Sequence, residues 1–224
     1  MSTTADATTE QLGKLAGQFE LIFDTEPSLA RLTGTARGVL AMAAALYYQH
    51  GYAATSVRDL TRACGLTPGA LYNHFPSRDE VLFALVEGGH LRAQRALDEA
   101  LAKTSGPRDA LTKFVRAYTE IHLRFPPFAQ LIHREYVHLS EARKREIVQR
   151  RRRMREQLVD ILRAGSAQGV FTLIEGPHAE VASAMMVLDM CSRTSEWFNP
   201  KQPADGFSER YAAAVLRLVG ARLR

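Results

Sequence analysis

The stretch TSVRDLTRACGLTPGALYNHFPSR, residues 55–78, reads as two short helices joined by a tight turn. Val57, Leu60 and Cys64 stand three and four apart, which lays one apolar stripe along a helix face, and Thr55 or Ser56 caps its start. Gly65 falls where the helix must end in a left-handed residue, a conformation glycine adopts without a Cβ penalty. Thr67 is then placed as an N-cap and Pro68 as the first helical residue, where a missing N–H breaks no intrahelical bond. The second helix, predicted over residues 68–75, buries Leu71 and Phe75 and turns Gly69, Ala70, Tyr72, Asn73 and His74 outward. Small residues followed by hydrogen-bonding groups at a helix N-terminus suit insertion into a DNA major groove, with the preceding helix crossing the backbone. Two core helices of any protein can be joined by a glycine turn, so the flanks have to be read as well.

Upstream, Val39, Leu40, Ala43, Leu46 and Tyr47 form the buried face of a helix predicted over residues 35–50, which Gly51 ends. Downstream, Ser77 caps a further helix with Asp79 and Glu80 in its first turn, where carboxylates favour the positive end of the macrodipole. Val81, Leu82, Leu85 and Val86 close a small three-helix core. Gly88 and Gly89 weaken this helix by about 1 kcal/mol each, so a soft point is expected in one long connecting helix that resumes through Leu91, Leu97 and Leu101. Beyond Gly106 the pattern is helical throughout: 107–125, stopped by Pro126-Pro127; 128–139; a long helix capped by Ser140 and ending at Gly169; and two last helices at about 177–197 and 207–223. Strand-like alternation of useful length is absent, so the fold class is all-α.

Ahead of this block, residues 1–8 carry no pattern and are expected to be disordered. Leu12, Leu15, Ala16, Phe19, Ile22 and Phe23 predict an amphipathic helix over 9–23. Glu10, Glu20, Asp24 and Glu26 against Lys14 speak for packing on the protein's own surface rather than for a basic arm along phosphates. The chain divides as an extension over 1–34, a helix-turn-helix DNA-binding domain over 35–87 and a helical bundle over 88–224.

A chain of 224 residues with 46% hydrophobic content is large enough for a sizeable core or two small ones. A net charge of +5 favours a polyanionic partner without demanding one. Cys64 and Cys191 both fall on apolar stripes, which suits buried free thiols, and no Cys/His spacing suggests a metal. The first residues lack the basic and apolar segments of a leader, and no apolar run reaches membrane-spanning length; a cytoplasmic protein without cofactor is expected.

The block as a whole resembles the TetR family of bacterial regulators. The resemblance is carried by HGY at His50 to Tyr52, Thr55 opening the next helix, and GLTPGALYNHFPSRDEVL from Gly65 to Leu82. It implies double-stranded DNA with a palindromic operator as partner. It also implies that Thr55, Ser56 and Arg58 face phosphates, that Thr67, Pro68, Gly69, Ala70 and Asn73 face bases, and that Tyr72, His74 and Arg78 face the backbone. The chemistry agrees: Asn73 can pair with an adenine edge, and Gly69 and Ala70 allow close approach to a thymine methyl. The same resemblance makes the second half a ligand-binding and dimerisation domain. Its last two helices, carrying Val181, Met185 and Leu188, and Tyr211, Val215, Leu218 and Val219, then pair with their copies in a homodimer.

The run RKREIVQRRRRMR at 143–155 is divided by helical spacing, because Ile147, Met154, Leu158 and Ile161 mark a buried stripe on which Arg151 falls. A buried arginine requires an anion, and Glu135, Glu120 or an anionic ligand would serve. RRRMREQLVDILRAGSAQGVF at 151–171, SEWFNP around Trp197 and FSERYAAAVLRLVGA from Phe207 are similar to the C-terminal half of TetR regulators that sense fatty-acyl or steroid-derived CoA thioesters. That similarity implies a CoA thioester with its phosphates at Arg151 and its apolar part near Phe114, Tyr118, Phe128, Met185 and Trp197. A neutral or cationic lipophile, as in drug-efflux control, is the rival ligand. An all-helical enzyme is the remote alternative, but it lacks a phosphate loop, a nucleophile elbow or a metal spacing, and His122, His133 and His138 bear no fixed relation to a nucleophile. A ligand-free architectural DNA binder is disfavoured by the size of the second half.

Overall fold

The computed structural model describes residues 2–199 and 206–221, residues 2–9 by their backbone alone, and every regular element among them is helical. Contacts divide the chain into two compact units, one of residues 1–92 with 130–147, the other of residues 93–129 with 148–224. The linear reading placed 130–147 in the ligand-binding domain.

The first unit opens with α1 (Ser2–Phe23), which starts earlier than the sequence pattern predicted, and α2 (Pro27–Ala30), a single turn that no periodicity announced. Then follow α3 (Gly34–His50), α4 (Val57–Cys64), α5 (Pro68–Tyr72) and the first part of α6 (Arg78–Leu101). α1 packs along α3 and seals Phe19 and Phe23. Arg37 of α3 donates to the Glu20 carbonyl at 2.7 Å and to the Asp24 carboxylate at 2.8 Å. The extension is therefore a built wall of this unit. Buried Glu26 accepts from the N–H and hydroxyl of Ser28, which caps α2 and sets Leu29 against Gly88 of α6. A Cβ on Gly88 would stand 2.7 Å from Leu29 Cδ1. Gly88, one of the two glycines expected to make a soft point, is a notch filled by a leucine.

The second unit is arranged around α7 (Pro107–Arg124), on which α10 (Ala179–Ser192), α11 (Thr194–Trp197) and α12 (Phe207–Leu218) pack. Its core includes Leu97, Leu111, Phe114, Val115, Leu158, Leu162, Val187 and Val215. α8 (Pro126–Glu135) and α9 (Glu141–Ala167) each supply residues to both units, with the 3₁₀ turn Tyr136–His138 between them. Pro126 and Pro127 end α7 and also open α8, because proline at a first helical position loses no bond. The helix predicted over 177–197 is broken at Arg193 into α10 and α11, and the last helix, expected to run to Leu223, ends at Leu218, where Val219 is its C-cap and Gly220 turns the chain at positive φ.

Candidate nucleic-acid interface

Each end of α4 and α5 is fixed by local chemistry. Ser56 caps α4 by accepting the Asp59 N–H at 3.1 Å while the Asp59 carboxylate accepts the Ser56 N–H at 2.9 Å, a reciprocal capping box. The Ser56 hydroxyl also donates to that carboxylate and holds Asp59 below its ordinary pKa. Gly65 ends α4 at φ 65°, in the left-handed region, and the Leu66 N–H returns to the Thr61 carbonyl at 2.8 Å. Two residues later Thr67 accepts the Ala70 N–H at 3.2 Å and Pro68 opens α5. α5 ends at Tyr72, before the predicted limit at Phe75, with Asn73 as its C-cap. Leu71 and Phe75 anchor it in the core.

What this leaves outside is a set of small, hydrogen-bonding and cationic residues on α4 and α5. Ser56, Arg58, Thr67, Pro68, Gly69, Asn73 and His74 are exposed, Ala70 is half-buried, and the Tyr72 ring is 48% exposed although it is a large aromatic. Arg62, which sequence reasoning passed over, adds a second exposed guanidinium on α4, only 3.8 Å from Asp59. Two residues expected at phosphates are turned inward. Thr55 is 2% exposed, with its hydroxyl donating to the Gly51 carbonyl at 2.8 Å. Arg78 lays its guanidinium 4.0 Å from the centre of the Tyr52 ring and donates to the carbonyls of Tyr52 and Thr55. Both hold the loop ahead of α4, which leaves Arg58 and Arg62 as the exposed guanidiniums of α4.

In the second unit, Phe114 and Tyr118 are buried and stacked, with ring centroids 5.9 Å apart. Burial drives the Tyr118 hydroxyl well above the ordinary phenol range, and half-buried Arg151 opposes that shift. Phe128 is buried as well, whereas Met185 and Trp197 are exposed, Trp197 against Phe207 at 5.5 Å. The structure stacks Phe114 on Tyr118 and leaves Met185 and Trp197 on the surface. Of the carboxylates expected beside Arg151, Glu135 accepts from Arg134 and from the Tyr52 N–H in the first unit, and Glu120 accepts the Ser208 hydroxyl at 2.9 Å.

Comparison with known proteins bears on both units. Residues 39–85 match the model of the bacterial regulatory proteins of the tetR family, and residues 104–219 match the tetracyclin repressor-like C-terminal domain. The chain belongs to the tetR family. It is a DNA-binding transcriptional regulator of the helix-turn-helix type. The regulator is 30% identical over 189 residues to the HTH-type transcriptional repressor KstR2 of Mycolicibacterium smegmatis, covering 80% of this chain and 87% of that one. The fold is similar to that of the ketosteroid transcriptional regulator KstR2 of Mycobacterium tuberculosis, with TM-score 0.74 and 24% identity over 87% of this chain and 98% of that one. It is similar also to AibR in complex with isovaleryl coenzyme A and operator DNA, with TM-score 0.70 and 22% identity over 84% of this chain and 100% of that one.

The first match begins inside α3 and contains the whole exposed surface of α4 and α5, while α1 and α2 lie outside both matched ranges. Among the described residues no helix of the regulator is long and apolar enough to cross a membrane.

Proposed function

We propose that the regulator is a homodimeric repressor, acting in the cytoplasm, that grips a palindromic operator with two copies of α5 and is released by a CoA thioester. What supports the ligand class is the stack of Tyr118 on Phe114, an aromatic floor within an apolar core, together with a half-buried guanidinium, Arg151, in the same unit. A thioester has matching parts, an acyl or ring system for the floor and phosphates for the guanidinium. AibR in complex with isovaleryl coenzyme A supports the same class over a cationic lipophile of the drug-efflux kind, and the ketosteroid regulator KstR2 supports an apolar ring system as the part that meets the floor. Dimer formation is supported by the outer faces of α10 and α12, where Val181, Met185, Met186 and Leu218 are exposed while Val215 and Val219 are sealed in the unit's own core. A ligand that binds better to the conformation with mismatched half-sites weakens DNA binding by its difference in affinity for the two states.

The test is binding to DNA from upstream of the regulator's own gene at fixed salt, because phosphate-dominated affinity falls steeply with salt. Isovaleryl-CoA, a long-chain acyl-CoA and a steroid-derived CoA thioester are added in turn. One thioester should abolish the complex, and Arg151→Ala should blunt that response with DNA affinity unchanged. Tight binding indifferent to the whole panel would discard the CoA reading in favour of a neutral or cationic lipophile.

A further inference from the structure

Residues 134–143 hold both flanks of the helix-turn-helix. α4, the turn and α5 are slung between a leading loop, residues 50–55, and the first turn of α6. At the leading loop, the Glu135 carboxylate accepts the backbone N–H of Tyr52 at 3.0 Å while only 2% exposed. The neighbouring Arg134 donates to Glu135 and to the carbonyls of Tyr47 and Tyr48, both at 2.8 Å, the last-turn acceptors of α3. The His138 ring stacks on one side of Tyr52, at 6.0 Å and 24°, and Arg78 lies over the same ring. At the trailing flank, Ser140 donates its N–H and hydroxyl to the Asp79 carboxylate at 2.9 and 2.8 Å. Arg143 forks onto Glu80 at 2.8 and 2.9 Å and lies 4.1 Å from the centre of the Phe83 ring.

We propose that residues 134–143 are a brace that sets the pose of α4 and α5 for base recognition, and that Glu135 is a positioning residue for operator selection although it reaches no DNA. The argument is geometric. α5 spans only Pro68–Tyr72 and has two apolar anchors, Leu71 and Phe75, so its direction is inherited from whatever fixes the chain on either side. Ser56, Arg58 and Arg62 keep a cationic, hydrogen-bonding surface whatever the tilt of α5. Base edges are read only at one tilt, because paired hydrogen bonds tolerate little displacement. Loss of the brace therefore costs sequence discrimination and spares phosphate contact. The Tyr52 N–H is held by the Glu135 carboxylate, so removal of that carboxylate takes the acceptor from a buried donor at the hinge of the leading loop.

The test compares Glu135→Ala, Glu135→Gln and wild type, each as full-length protein, on the upstream DNA and on scrambled DNA of equal length at the same salt. Glu135→Ala should lower the ratio of specific to non-specific affinity about tenfold, the equivalent of about 1.4 kcal/mol, with scrambled-DNA binding unchanged. Glu135→Gln retains a carbonyl that accepts the Tyr52 N–H, so most of the ratio should return. Equal weakening on both DNAs, or no change on either, overturns the proposal. If Glu135→Ala does not fold, Arg143→Gln releases the trailing flank and must lower the same ratio; an unchanged ratio overturns the proposal too. The inference rests on sequence-specific DNA binding. Were wild type to show no preference, that reading would fall, and amide exchange would decide the brace independently. Glu135→Gln should leave protection over residues 52–75 intact and Glu135→Ala should lose it there alone; uniform loss over the first unit would refute the brace.

Discussion

Gly88→Ala tests whether the middle of α6 is a hinge or a socket. A methyl group built on Gly88 meets Leu29 Cδ1 at 2.7 Å, Cγ at 2.8 Å and Cδ2 at 3.0 Å, where ordinary contact starts at 3.4 Å, so the leucine must retreat by roughly 0.7 Å. Leu29 has little room, being 2% exposed on a helical turn capped by buried Glu26. Overpacking of this kind costs about 1–3 kcal/mol, and replacing a mid-helix glycine returns about 1 kcal/mol. The net expectation is a loss of about 1 kcal/mol. Gly17→Ala in α1 is the matched control, since nothing lies within 4 Å of its Cβ position, and should gain about 0.5–1 kcal/mol. Leu29→Ala alone should cost about 2–5 kcal/mol. In the double variant the new methyl occupies space the leucine vacated, so the combined loss should fall short of the sum by about 1 kcal/mol or more. Urea unfolding at one fixed protein concentration measures all four proteins, because an associating protein's midpoint shifts with concentration. If Gly88→Ala stabilises as Gly17→Ala does, or if the pair is additive, the socket is wrong and the hinge reading returns.

Tyr72→Ala should abolish operator binding and leave the far-ultraviolet circular dichroism and the melting temperature unchanged, since the ring is 48% exposed; retained binding removes the recognition role from α5. Met185→Glu places a charge on the outer face of α10 and should shift the protein from dimer to monomer in sedimentation, and an unshifted dimer places the interface elsewhere. Burial pushes the thiols of Cys64 and Cys191 up to about 11. The unfolded chain then releases protons that the folded one keeps, so their stabilisation is complete below about pH 9 and is lost as pH rises towards 11. A urea midpoint that stays constant from pH 8 to 10.5 would contradict this, and Cys191→Ala should flatten the fall.

The elements of the DNA-binding surface were legible because their signals are local. Ser56, Gly65, Thr67 and Pro68 each act within three or four residues, so the spacing of the sequence is the spacing of the contact. Residues with distant partners were misjudged. Arg78 reads as a phosphate ligand beside a helix N-terminus, yet its acceptors are carbonyls of residues 52 and 55. Gly88 reads as weakness until Leu29 is placed against it. Glu135 reads as a candidate anion for Arg151, whereas the N–H it accepts is 83 residues away in sequence and leaves no local pattern. In the second unit, periodicity found Phe114 and Tyr118 on the buried face of one helix. It could not show that Met185 and Trp197 lie on the outer surface, since an apolar stripe looks the same whether its cover is the same chain or another.

The recruitment of residues 130–147 into the first unit has a consequence for synthesis and for engineering. A nascent chain released up to Arg92 carries every residue of α4 and α5 but none of the brace, and the stretch 93–129 must emerge before Glu135 does. The DNA-reading head is therefore completed only after translation has passed well into the second half, against the usual order in which the N-terminal part finishes first. A chimera that transplants this head onto a relative's body by cutting at residue 92 would leave the brace behind. The transferable piece is discontinuous, and a graft that carries 130–147 with it keeps the head whole.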